Sequence, residues 1–326
     1  NIFFYKFKEV FILVGWHLID TIVTVLYLIA VLLVGIYSSK YKTETTQDYA
    51  IAGKSVPTFA LVATFLSTNM GGGSALGRAG LAWSTGAGAL TPFMGGWLVG
   101  IPLLIFLSKK IRKTDCISLP DIMNKRYGKE VRILSSILVS LTALLYVALC
   151  YLSFGTIFAY VGQSIGITEE IGSTIGCIVT IIYTSIGGYS AVVINDTIQF
   201  VVFMVVIVFL TPIFLSKQIG GFSKIVEFAA QNKISIFNPF QGFDIALLSL
   251  MTLWAIVWLT DPMIYQRVLS GKNDKATKKA LLWYIPSEAI FGFALVVIAL
   301  AGRMLMPKLP EIYGTAEAVL PAVVVN

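Results

Sequence analysis

The sequence predicts an all-α integral membrane protein, and three observations carry that reading. The 326 residues are 57% hydrophobic and only 13% charged, against roughly 45–50% apolar and 25% charged in ordinary soluble domains. Mean hydropathy is +0.84, and at about 20 apolar residues per crossing the apolar sequence suffices for about eight membrane spans. Two of those spans are interrupted near their middles by residues that a lipid-facing helix does not need. This composition excludes a soluble globular enzyme.

In chain order the apolar stretches fall at 18–37, 56–82, 87–107, 133–165, 171–194, 195–216, 243–266 and 280–306. Each is long enough to cross a bilayer as a helix, whereas irregular backbone or open sheet would leave peptide groups unsatisfied in lipid. The stretch 1–16 carries Lys6, Lys8 and Glu9 among aromatics and has no small-residue cleavage site, so it reads as an amphipathic flank rather than a signal peptide. The only histidine, His17, reads as an interfacial side chain. Residues 318–325 read as the start of a further apolar element, so the sequence reads as part of a longer protein. Cys116, Cys150 and Cys177 form no CxxC pair and read as structural thiols.

Charge sets the orientation. Of the 24 Lys and Arg, sixteen fall in one set of loops, 38–55, 108–132, 185–195 and 267–279, and eight in the other. Basic loops stay on the cytoplasmic side, which predicts an outside N-terminus. The net charge of +7 is thereby explained, and no nucleic-acid partner is expected.

In the second stretch, Ser67-Thr68-Asn69-Met70-Gly71-Gly72-Gly73-Ser74 puts three successive glycines and four hydroxyl or amide side chains near the bilayer midplane. Each glycine costs a helix about 1 kcal/mol relative to alanine. Such a cluster predicts unwound backbone, with carbonyls and half-helix termini facing a cavity; close helix packing through small residues is the other reading. The seventh stretch holds Trp254, Trp258, Thr260, Asp261 and Pro262. Proline removes a donor and disfavours helix at the residue before it, so a kink is predicted at Asp261. Trp254 and Trp258 share a helical face, either as cavity walls or as core and lipid-facing aromatics. Spans two and seven stand five helices apart, the spacing of corresponding helices in two five-helix repeats.

Further motifs follow in order: Asp48-Tyr49-Ala50-Ile51-Ala52-Gly53-Lys54 with Pro57, then Ser118-Leu119-Pro120-Asp121, and Arg126-Tyr127-Gly128. After these come Tyr183 to Val192 around Gly187-Gly188, Asp196-Thr197-Ile198-Gln199, and Tyr265-Gln266-Arg267. With the break from Ser67 to Gly77, this series resembles the sodium:solute symporter family over most of the chain. The resemblance implies a leucine-transporter-like core of inverted five-helix repeats behind one extra N-terminal helix. On that mapping 1–326 is a single transporter domain: 18–37 is the extra helix, 56–216 the first repeat and 243–326 the start of a second, truncated one.

The resemblance also implies sodium ligation by backbone carbonyls of the broken helix, here Ser67 and Met70, completed by groups of a later core helix. It points to Asn69, Ser74, Trp254 and Trp258 for solute. Sugar-carrying relatives have a lysine about where this chain has Glu288, which argues against a sugar. Glu288 and Asp261 join the expected solute site as intramembrane carboxylates, which are expensive and usually functional. Neither has a basic residue within its own span, which favours a solute with a positively charged nitrogen; pairing of Glu288 with Lys279 is the structural alternative. Asp196 reads as a helix N-terminal anchor rather than an ion ligand.

The expected function is sodium-coupled symport of a small organic solute across the plasma membrane by alternating access. Sodium is the coupling ion, the lipid bilayer the surroundings, and no other cofactor is expected. A channel or non-transporting sensor on the same fold is the alternative. An enzyme is not expected, since no HExxH, GxSxG or clustered carboxylate pair occurs.

Overall fold

The structure, a computed structural model, describes residues 18–42, 44–162 and 166–325; the flank 1–16 and His17 lie outside it. Helix α1 is Leu18–Lys42, and the short α2, Thr46–Ile51, is opened by a Thr45–Asp48 capping box. The second span is two helices, α3 (Thr58–Asn69) and α4 (Gly72–Thr85), so the predicted break is present at Met70 and Gly71. The third comprises α5 (Thr91–Gly95), a π-helical turn over Gly96–Gly100 and α6 (Ile101–Lys113). Next come α7 (Leu119–Tyr127) and α8 (Lys129–Gly162), then α9 (Glu169–Phe203), a π-helical segment Met204–Leu210 and α10 (Thr211–Ile219). After α11 (Phe222–Gln231) follow α12 (Ile245–Thr260), α13 (Pro262–Ser270) and α14 (Asp274–Leu305). The described chain closes with α15 (Leu309–Tyr313) and α16 (Val319–Val325).

Helical continuity hides two reversals. Glu169–Ile219 runs 51 residues, which straight would be about 76 Å, far beyond a hydrocarbon core of about 30 Å. At Gly188 the backbone leaves the helical region (φ 59°, ψ −157°), and Asn195 Nδ2 then lies 3.5 Å from the Tyr183 hydroxyl. Twelve residues of straight helix would part those groups by about 18 Å. The turn therefore sits at Gly188, not at the 194/195 boundary that hydropathy predicts. Glycine is required there: φ is positive, and a Cβ would lie 2.9 Å from the Tyr49 carbonyl oxygen. Gly86 (φ 57°, ψ −126°) likewise separates α4 from α5. Across it Arg78 lies over the Phe93 ring at 3.6 Å. With these turns and the 47° bend between α12 and α13, the eight predicted spans are all present among the described residues. The chain is a multi-pass, all-α membrane protein.

The basic loops gather at one end. Lys54 pairs with Asp115, and Arg112 holds Asp274 at 3.0 Å and the Val268 carbonyl oxygen at 3.0 Å. The same end is latched by backbone. Val56 N–H donates to Ser270 O (3.1 Å), Lys272 N–H donates to Val56 O (2.8 Å), and Gln266 Nε2 donates to Ala50 O (2.7 Å). At the opposite end Ala87 N–H donates to Ser235 O (2.8 Å), and Arg303 Nη1 donates to Trp83 O (2.7 Å). Between the ends the core is built from two apolar clusters, with Phe65, Leu66, Tyr284 and Phe291 fully buried in the first.

Candidate functional site

The site forms where α3 stops. Its helical ladder ends with Met70 N–H on Leu66 O and resumes with Ala75 N–H on Gly71 O. No backbone N–H among the described residues bonds the carbonyls of Ser67, Thr68, Asn69 or Met70. Such carbonyls are hard oxygen ligands, and α4 starts just beyond them with its positive dipole end. The side chains turn back on their own helix: Thr68 Oγ1 donates to Thr64 O (2.7 Å) and Asn69 Nδ2 to Phe65 O (3.2 Å). Gly72 and Gly73 let α4 press on α8, where added Cβ atoms would meet Ser153 and Leu149 at 3.1–3.3 Å. The glycines thus serve packing as well as unwinding.

Beside this break lies a buried polar network that sequence reasoning missed. Asp196 accepts from Thr64 Oγ1, and its carbonyl oxygen accepts from Ser67 Oγ at 2.9 Å. Arg267 donates from Nε to Thr64 O (3.0 Å) and from Nη1 to Met263 O (3.0 Å), and its Nη2 lies 3.7 Å from the Asp196 carboxylate. Asp196 is therefore not a helix N-terminal anchor; it sits within α9, beyond the Gly188 turn, and ties α9 to α3 and α13. Arg267 is not a loop charge either, being 5% exposed. The one legible signal was that both lie in motifs that carry the family resemblance.

Trp254 and Trp258 share a helical face that meets the third span, at Phe93 and at Gly96 and Gly100 respectively. Trp258 is a packed core residue. It meets Tyr284 edge-on at 4.7 Å and Phe65 at 6.2 Å, and a Cβ at Gly96 would lie 2.5 Å from its Cδ1. Trp254 is half-buried, its ring 4.7 Å from Phe93.

Glu288 corrects the sequence reading. It is 2% exposed, yet neither unpaired nor held by Lys279: Arg78 Nη2 approaches its Oε1 at 2.7 Å, and Trp97 Nε1 donates to its Oε2 at 3.2 Å. Glu288 therefore gives no support to a cationic solute. Arg78, counted by sequence among the outer loop charges, is a buried residue one turn beyond Ser74 and stacked on Phe93. None of its guanidinium nitrogens has a hydrogen bond of proper geometry among the described residues, and the Tyr284 hydroxyl one turn before Glu288 is also unpartnered. Asp261 does not join this pair. It caps α13 through Met263 N–H (2.7 Å) and receives Tyr146 Oη of α8 at 3.4 Å.

A family model described as the sodium:solute symporter family matches residues 49–326. The chain belongs to that family. Among curated proteins, sodium/proline symporters of Staphylococcus aureus strains JH9 and JH1 are each 25% identical to it over 295 residues, covering 88% of this chain and 56% of theirs. This family member thus spans just over half the length of those relatives. Among solved structures, a Na+-coupled sialic acid symporter in a substrate-bound outward-open state matches with a TM-score of 0.82 and 23% identity. That match covers 96% of this chain and 66% of the other. The fold is accordingly that of the leucine-transporter-like symporters, and the chain is a transporter-family protein, not an enzyme.

Proposed function

We propose that the protein carries out sodium-coupled symport of a small organic solute across the plasma membrane by alternating access, with its N-terminus outside. The single observation that carries this reading is the set of four unbonded carbonyls at the α3–α4 break. Five or six oxygens suit a hard cation, so Ser67 and Met70 supply part of a sodium site whose remainder comes from a later core helix. The latched basic end corresponds to a state closed toward the cytoplasm, with Asn69, Ser74 and Trp254 reached from the other side. The solute we assign is an organic acid. Arg78 keeps donors free beside Ser74, and proline and sialic acid, named for the relatives, are both acids.

The test is uptake by the full-length protein in proteoliposomes, with a panel of amino and sugar acids and their methyl esters. An inward sodium gradient should drive acid uptake at a fixed ion-to-solute ratio, while a potassium gradient and the esters should not. Solute flux without a fixed ratio would favour the channel alternative.

A further inference from the structure

One groove lies apart from the break. It has a volume of about 710 Å³ and lies between the segment from Val208 to Gly221 and residues 290 to 297 of α14. We propose that it is a binding site for one anionic phospholipid, with an acyl chain along the groove and the phosphate at Lys217.

The lining sorts by position. Val208, Pro212 and Ile213 form one wall and Ile290, Phe293 and Val297 the other, with Lys217 at the mouth. From Val208 to Lys217 the wall rises about 14 Å, at 1.5 Å per residue. That is close to one leaflet of a hydrocarbon core about 30 Å thick. Lys217 is exposed and forms no ion pair among the described residues. Its nearest basic neighbour along the chain, Lys224, is already engaged with Glu227 at 2.9 Å. The mouth therefore offers one uncompensated cation at the depth of a headgroup.

The wall is also shaped. Pro212 cannot donate to the carbonyl one turn back, and the preceding Met204–Leu210 is π-helical, with Thr211 Oγ1 donating to Val206 O at 2.9 Å. A widened turn of this kind often marks a functional place in a helix. Phe237 stacks on Phe293 at 5.9 Å and meets Phe222 at 6.5 Å, two residues that line the groove. The two walls belong to different halves of the fold, so the lipid would bridge them.

Native mass spectrometry of the full-length protein, delipidated and then offered phosphatidylglycerol or phosphatidylcholine, tests this. We expect one phosphatidylglycerol retained per chain with about five-fold preference, the worth of one lysine near an anionic headgroup. Lys217→Glu and the milder Lys217→Gln should each abolish the preference, and Lys224→Glu should leave it intact. Ile290→Trp, which fills the groove, should reduce retention of both lipids. Equal retention of the two lipids by the parent, a preference that survives both Lys217 variants, or unchanged retention in Ile290→Trp would each overturn the proposal.

Discussion

Removing one charge from the Arg78–Glu288 pair is the most informative perturbation of the site. Glu288→Gln leaves a guanidinium with no counter-charge where the two side chains are only 4% and 2% exposed. With so little solvent to screen it, breaking such a pair costs about 3–5 kcal/mol. Arg78→Gln leaves Glu288 with only the Trp97 indole at 3.2 Å, so a loss of similar size is expected. Replacing both, as Arg78→Met with Glu288→Leu, removes both desolvation penalties and should return stability to the parent level or above it. With the matching singles Arg78→Met and Glu288→Leu, which lose the same charges, singles and double then fail to add by several kcal/mol, well past the roughly 0.3–0.5 kcal/mol scatter of independent sites. Thermal unfolding of the full-length protein in detergent reads the stability, and sodium-driven uptake reads the function. Additive losses would refute the pairing. Uptake restored along with stability in the apolar double variant would show that Arg78 only holds the helices and receives no solute.

Three further outcomes are expected. In a cysteine-free background, cysteines at positions 109 and 278 should resist an impermeant thiol reagent in intact cells while one at 230 reacts; labelling of 109 from outside would invert the topology. Gly72→Leu, whose Cβ starts 3.3 Å from Ser153 Cβ, should abolish sodium-dependent uptake, whereas Gly71→Ala, facing open space, should retain it. Sodium dependence unchanged in Gly72→Leu would show that the ion site does not need the break. Asp115 is held below its ordinary 3.8 by the hydrogen bond and charge of Lys54. Its contribution to stability is therefore present above pH 3.8 and lost as pH falls through the lowered value. An Asp115 titration that does not move upward in Lys54→Ala would count against the pair.

Hydropathy was enough to find the spans, because each must present an apolar surface to lipid, and the glycine run was enough to find the break. Partners were not legible. Arg78 and Glu288 each look unpaired along their own helices, since the contact that neutralises them joins the second span to the eighth. The same cause moved the turn: Asn195 and Asp196 look like an interface residue pair, so hydropathy ends a span there, whereas their polarity is spent on Thr64, Ser67, Arg267 and Tyr183 inside the fold. Gly188 carried the better signal, because its positive φ and the close Tyr49 carbonyl demand a glycine at the reversal. Arg267 shows the limit of charge counting, which treats every arginine as a loop residue until an internal acid is found for it.

The backbone latch at the basic end has a size as well as a place. Its three hydrogen bonds, Val56 to Ser270, Lys272 to Val56 and Gln266 to Ala50, contribute about 0.5–1.5 kcal/mol apiece where water can replace them. Together that is about 1.5–4.5 kcal/mol. Swinging a two-state equilibrium from one side almost wholly to the other takes about 5.5 kcal/mol of differential binding. On the alternating-access reading proposed above, a closure of this size is weak enough for occupancy of a small-ligand site to reverse it. On that reading, locking this end covalently would remove the balance and leave a protein that fills from one side and never empties to the other.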